Sequence, residues 1–209
     1  MKISKLLFIF ILITCFSNSY SQSTIFKIND FTVYQKIHKK IAIIPIDITV
    51  DSKSMPRDLT VSDLNKLHEG ESMFLQDYFF AVNLNENQNE KLSVEIQDVR
   101  KTNNLLEKNN VNFFNISKIS KEDLAKFCEV DALVVVFFYK SNQIVNEKPR
   151  NTLDSRVAIF DKNGKLLWEY YDTIFASSDK NALYLEKFIL EKAAKKLPYR
   201  DEIKEVKIK

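Results

Sequence analysis

Residues 131–139 read DALVVVFFY, the most hydrophobic stretch of the chain beyond its amino-terminal region. A continuous apolar run of this length suits a strand covered on both faces. It is far short of the roughly 20 residues that a membrane-spanning helix needs. It is the expected central strand. Just upstream, Ser120 followed by Asp123 has the pattern of a capped helix start. That helix would turn Leu124 and Phe127 inward and end near Val130. Downstream, residues 152–160 and 165–175 are β-rich runs on either side of Asp161-Lys-Asn-Gly164. An Asn-Gly pair between such runs predicts a hairpin.

The remaining segments fit around this centre. Residues 40–50, KIAIIPIDITV, form the first firm strand, with Pro45 ending its pairing or marking a bulge. Residues 60–83 read as a helix that Ser62 is placed to cap and Gly70 is placed to split; Phe74, Tyr78 and Ala81 share one face. Residues 92–99, LSVEIQDV, alternate apolar and polar and predict another strand. A short helix over 102–109 and a polar loop over 142–151 follow from composition. The last helix, 179–197, aligns Leu185, Ile189 and Ala193 and stops at Pro198. This order predicts an α/β (α+β) fold: a single mixed β-sheet with helices packed against it, and a carboxy-terminal β-hairpin followed by a helix.

The amino terminus has a different character. Lys2 and Lys5 precede a charge-free apolar run over 6–14, and Ser19 and Ser21 stand at the small-residue positions of a cleavage site. This is the three-part layout of a secretory signal, with cleavage between Ser21 and Gln22. A rival reading takes Leu12-Ile13-Thr14-Cys15 as a lipoprotein signal with Cys15 acylated. Thr is a poor residue before such a Cys, so the Ser-x-Ser site is preferred. The expected organisation is a signal peptide over 1–21, an amino-terminal arm over 22–39, one domain over 40–198 and a charged, frayed tail over 199–209. The expected location is the periplasm, the outer membrane surface or the medium, with membrane attachment only if Cys15 is lipidated.

Composition excludes several function classes. The net charge of +3 falls towards neutral once Lys2 and Lys5 leave, which gives no footprint for nucleic acid. Gly70 and Gly164 are the only glycines, too few for a phosphate-cradling loop or a G-x-S-x-G nucleophile elbow. After cleavage Cys128 would stand alone, so no internal disulfide is expected.

Three segments together look like a known envelope architecture. They are the opening strand Lys40-Ile-Ala-Ile-Ile-Pro-Ile, the helix end and strand Val130-Asp131-Ala-Leu-Val-Val-Val, and the hairpin from Asp154 through Asp161-Lys-Asn-Gly-Lys-Leu-Leu to Trp168. The chain over 40–198 resembles the α/β domain shared by the TolB amino-terminal region, the curli-secretion lipoprotein and the outer-membrane activators of peptidoglycan synthases. The resemblance implies an envelope protein that binds other proteins or assembles, without catalysis. The chain departs from several of those relatives in its weak lipobox and scarce glycines. No functional residue is carried over.

Candidate chemistry is sparse. His38 and His68, the latter near Glu69 and Glu71, are too few for an expected metal site. Asp47, Asp51, Asp58 and Asp63 cluster around the end of the first strand and could serve a secreted hydrolase as acid and base. Asp is equally the residue of turns and helix starts. Cys128 has no nearby His and reads as a buried thiol. Asp154 and Arg156 suggest a local ion pair or a polar strand face. Trp168, Tyr170 and Tyr171 form an aromatic group that could anchor an interface with other envelope proteins. No cofactor is expected. The leading functional reading is a non-enzymatic, exported binding or assembly module.

Overall fold

The computed structural model describes residues 22–51, 54, 60–86, 92–145, 148–177 and 181–200. The expected signal segment with Cys15 and Ser21, Asp58, and the tail beyond Arg200 lie outside them. Seven strands build one mixed sheet. β1 (Gln22–Lys27) and α1 (Phe31–Ile37) lead into β2 (Lys40–Ile43) and β3 (Asp47–Val50). α2 (Val61–Glu86), β4 (Glu95–Ile96), α3 (Val99–Lys108) and α4 (Lys121–Cys128) follow. β5 (Ala132–Val145), β6 (Lys148–Asp161), β7 (Leu166–Ser177) and α5 (Ala182–Lys196) complete the chain.

The sheet runs β1-β7-β6-β5-β2-β4, with β3 also pairing β5. The expected first strand is therefore two short strands on one edge of β5. β2 pairs in parallel from Ile41 opposite Ala132, and β3 in parallel from Asp47 opposite Phe137. Pro45 lies in the interruption, where a residue without an N–H cannot extend the ladder. On its other edge β5 pairs antiparallel with β6 from Ala132–Asp161 out to Val145–Lys148. The segment expected as a polar loop is thus a two-stranded extension of the sheet. Once the register is set by the apolar half, backbone bonding carries it onward whatever the side-chain polarity.

Helix starts follow capping chemistry more closely than hydrophobic pattern. Thr60, not Ser62, caps α2: Asp63 N–H donates to Thr60 Oγ1 at 3.2 Å, and the Asp63 carboxylate accepts from Thr60 in return. α2 runs unbroken through Gly70. Asp98 accepts from the N–H groups of Arg100 and Lys101, so Val99 begins α3 and the expected strand over 92–99 shrinks to Glu95–Ile96. Ser120 caps α4 as expected, and Glu129 closes it at φ 57°. Asp131 then accepts from Lys39 N–H at 2.8 Å and Lys40 N–H at 3.0 Å, clamping the start of β2 to that of β5. Partial burial works to raise its carboxyl pKa, but those two bonds, with His38 and Lys162, hold it below its usual value.

Two apolar layers enclose the sheet. α2 and α5 place Leu75, Phe79, Leu185 and Ile189 against Val134, Val136, Phe138, Val157 and Trp168. On the opposite face, α3 and α4 place Leu106, Leu124 and Cys128 against Ala42, Ile44 and Leu133.

The 22–39 segment, expected as a short strand or ordered arm, does contain a strand: β1 pairs antiparallel with β7 from Gln22–Thr173 to Lys27–Trp168. Tyr199, expected in a frayed tail, is fully buried. Its ring packs edge-on against Phe31 at 5.1 Å, and its hydroxyl lies 2.6 Å from His38 Nδ1. An aromatic side chain with an apolar slot and a polar partner is retained against the charged character of its neighbours. We expect Tyr199→Ala to lower unfolding free energy in urea by about 3 kcal/mol and Tyr199→Phe by about 1 kcal/mol. An unchanged midpoint for Tyr199→Ala would show that this residue is not part of the cooperative fold.

Candidate interaction surface

Strand alternation sorts the aromatic group of β7. Trp168 and Tyr170 share one parity and point into the core, 1 % and 2 % exposed. As surface anchors these two are corrected to core residues. Tyr171 has the opposite parity and is 41 % exposed. It lies in a cross-strand row with Phe137 on β5, Arg156 on β6 and Thr24 on β1. Phe26 and Phe175 are further exposed aromatics of the same parity on β1 and β7. The period-2 pattern of β7 contained this signal, but the pairing with β1 that brings in Phe26 did not show in the sequence.

This face is open because α3 and α4 stop short of it. The apolar cluster beneath them takes in β2 and the first half of β5, and among the described residues none from β6, β7 or β1. Its polar groups are tied to one another. Arg156 pairs across the strands with Glu169 rather than with its sequence neighbour Asp154. Asp154 accepts from Thr173 Oγ1 at 2.7 Å and from the Tyr171 hydroxyl at 3.3 Å. The result is an exposed aromatic stripe along β7 and β1, bordered by an ion pair and a hydrogen-bonded acid.

Of the carboxylates singled out near the first strand, Asp58 lies outside the described residues and the other three have separate surroundings. Asp47 is half-buried towards Lys121; burial raises its pKa and the ammonium opposes the rise. Asp51 ends β3, with its N–H donating to Lys140 O. Asp63 is part of the α2 cap. The Asp47 and Asp63 carboxylates thus serve different local contacts, one beside Lys121 and one at a helix start. Among the described residues, no group of three or more His, Cys, Asp or Glu side chains could hold a metal ion. His38 is buried on Tyr199, and desolvation lowers its pKa against the pull of Asp131 and Asp161. His68 sits on α2, its pKa lowered by burial and by Lys140. Burial pushes the Cys128 thiol up to about 12, so it is protonated and shielded at neutral pH.

The sequence reading missed a buried ionisable set on the other side of the sheet. Glu186 of α5 is fully buried, with its carboxylate 3.0 Å from Lys140 Nζ, which also donates to Glu71 of α2 at 2.7 Å. Two carboxylates share one ammonium in a dry site. Burial raises the Glu186 pKa to about 7; Lys140 works against that rise and Glu71 adds to it. Nearby, Asp172 of β7 is buried and accepts from Tyr170 Oη at 2.7 Å and Lys192 Nζ at 3.0 Å. These pairs join strands to helices.

No family model matches the chain, and no curated protein matches it. Solved structures of similar arrangement include the lipoprotein GNA1162 from Neisseria meningitidis, 14 % identical, covering 76 % of this chain and 96 % of that one at a TM-score of 0.46. The PelC dodecamer from Paraburkholderia phytofirmans is 9 % identical over 83 % and 94 % of the two chains, with a TM-score of 0.39. The LpoB carboxy-terminal domain from Salmonella enterica is 7 % identical over 65 % and 82 %, with a TM-score of 0.35. No residue role is carried over from any of them.

The buried set generates a pH dependence. Glu186 holds a proton in the folded state that the unfolded chain releases near its ordinary pKa of 4.5. Its contribution is therefore favourable at low pH, declines between about 4.5 and about 7, and is level above that, a span worth about 3 kcal/mol. Urea unfolding across this range should show the decline in the native chain and a flatter profile in Glu186→Gln. Parallel profiles would remove Glu186 as the source.

Proposed function

We propose that this chain is an exported cell-envelope protein that binds another protein through its open sheet face and performs no catalysis of its own. The observation that carries the reading is the stripe of Phe26, Tyr171 and Phe175, exposed on strands that α3 and α4 leave uncovered. Exposed aromatics on a rigid sheet supply contact area at little entropic cost, and tied polar groups around them form a rim. The engagement of Asp47, Asp63, Asp172 and Glu186 in structural contacts supports this reading over the hydrolase alternative.

Export is supported by the lysines, apolar run and Ser-x-Ser layout of residues 1–21. Cleavage after Ser21 would start the mature chain at the first residue of the edge strand β1. Acylation at Cys15 would instead tether the same edge to a membrane by a short linker. Intact mass of the protein recovered from the producing cell separates a Gln22 start from an acylated Cys15, and a retained Met1 would overturn the export reading.

A photoreactive residue at position 26 or 171 should give a discrete protein adduct in the cell, whereas one at Lys101 on the exposed side of α3 should not. Tyr171→Lys should weaken capture of that partner at least about tenfold with an unchanged melting temperature, as expected for an anchor worth roughly 1.4 kcal/mol or more. Equal adducts from all three positions would sink the interface.

A further inference from the structure

α2 and α5 lie on the face of the sheet opposite the open one, and their outer surfaces carry a second aromatic group. Phe74 and Tyr78 sit one helical turn apart on α2, Tyr184 and Phe188 one turn apart on α5. Tyr184 is 61 %, Phe74 47 % and Phe188 40 % exposed. Tyr78 also packs against the core, but Phe74, Tyr184 and Phe188 are surface rings that the proposed binding face does not use.

Lysines are interleaved with the rings. Lys187 Nζ stands 4.4 Å from the Tyr78 ring centroid and 5.9 Å from that of Phe74. Lys192 Nζ lies 5.0 Å from the Phe188 centroid while it pairs with Asp172. Lys195 and Lys196 extend the exposed surface into the last turn of α5. Against them stands one exposed acid of α5, Glu191, which accepts from the Tyr78 hydroxyl. Glu186, the other acid of α5, is buried on Lys140. The outer ridge of α5 is therefore net positive as well as aromatic, whereas α2 adds the Phe74 and Tyr78 rings but carries the exposed acids Asp63 and Asp77 against Lys66. Between the two helices opens a shallow cleft of about 360 Å³ walled by Tyr78, Tyr184, Lys187 and Phe188.

We propose that the outer ridge of α5 is a peripheral docking surface for an anionic phospholipid membrane. Amphipathic rings settle at the headgroup level, and ammonium groups at the same height meet lipid phosphates. Each lysine close to such a surface contributes about 1 kcal/mol. The surplus of lysine on α5 selects an anionic surface, and the shallow cleft beside it offers no deep socket for a protein anchor. No helix among the described residues is long and apolar enough to cross a membrane, so the contact is superficial. It needs no acyl chain. Because the ridge and the open sheet face point in opposite directions, a docked protein would present Tyr171 and its neighbours away from the lipid.

The test is co-sedimentation of the purified protein, its amino terminus assigned by intact mass, with two kinds of vesicle. One is phosphatidylcholine alone; the other contains roughly a third phosphatidylglycerol. Binding should be at least about tenfold stronger to the anionic vesicles, in line with two or more lysines at the surface, and should fall as salt rises. Tyr184→Ser with Phe188→Ser should abolish the preference, as should Lys187→Glu with Lys195→Glu. Lys187→Arg should retain it, and Tyr171→Lys should leave it untouched, which separates this surface from the protein-binding one. Melting curves of each variant confirm that the fold is intact. Equal binding to both vesicles, full binding by the folded Ser or Glu variants, or a protein adduct in place of lipid at a photoreactive position 184 would each overturn the proposal.

Discussion

Everything in this structure is arranged around β5, a strand that is buried on both faces at its start and hydrogen-bonded on both edges. Alternate residues from Ala132 to Phe138 feed two different cores, so neither helix layer can form without it. Its two edges have opposite polarity: β2 and β3 add in parallel, β6 antiparallel. The parallel side requires distant chain segments to meet in register. Asp131 secures that meeting by binding the backbone of Lys39 and Lys40 at the base of β2. A charged residue beside an apolar strand thus acts as a local staple, and its two backbone bonds favour the ionised form.

The asymmetry of the helix layers decides which surfaces are left for function. α2 and α5 reach across the inner face from β3 to β7, whereas α3 and α4 cover only the half built on β2 and early β5. The uncovered half is an ordinary antiparallel meander with one wet face. Its wetness is uneven, since aromatic side chains replace some of the polar residues that would normally alternate outward. On the far side the same economy of cover leaves the outer ridge of α2 and α5 rich in rings and lysines. A small sheet with two helix layers of unequal extent therefore leaves two exposed aromatic surfaces back to back.

The buried ionisable groups tie this architecture together. Lys140 emerges where β5 passes from the doubly covered region into the β5–β6 extension, and the ammonium bridges α2 and α5 at that point. Asp172 does the same for β7 and α5 through Lys192. Buried pairs of this kind add little net stability compared with apolar packing, yet a removed partner would leave a charge stranded. They fix the position of α5 against the sheet, and with it the spacing of the outward rings.

The hydrophobic pattern by itself determined the class of fold, the central strand at 132–139, the hairpin at Asn163-Gly164 and the capped start of α4, because each follows from neighbours a few residues apart. The lysines, apolar run and Ser-x-Ser spacing of residues 1–21, on which the proposal of export rests, are local patterns of the same kind. What only the tertiary structure decided were the features that depend on distant partners. Register across three strands turned Trp168 and Tyr170 inward and left Tyr171 outside; pairing with β7 made a strand of the arm; a slot between Phe31 and His38 buried Tyr199. Glu186 resembles any surface glutamate in a helical run, and only its contact with Lys140, 46 positions earlier in the chain, reveals it as buried. Local spacing encodes local structure, whereas burial and pairing are set by which faces remain covered once the whole sheet has closed.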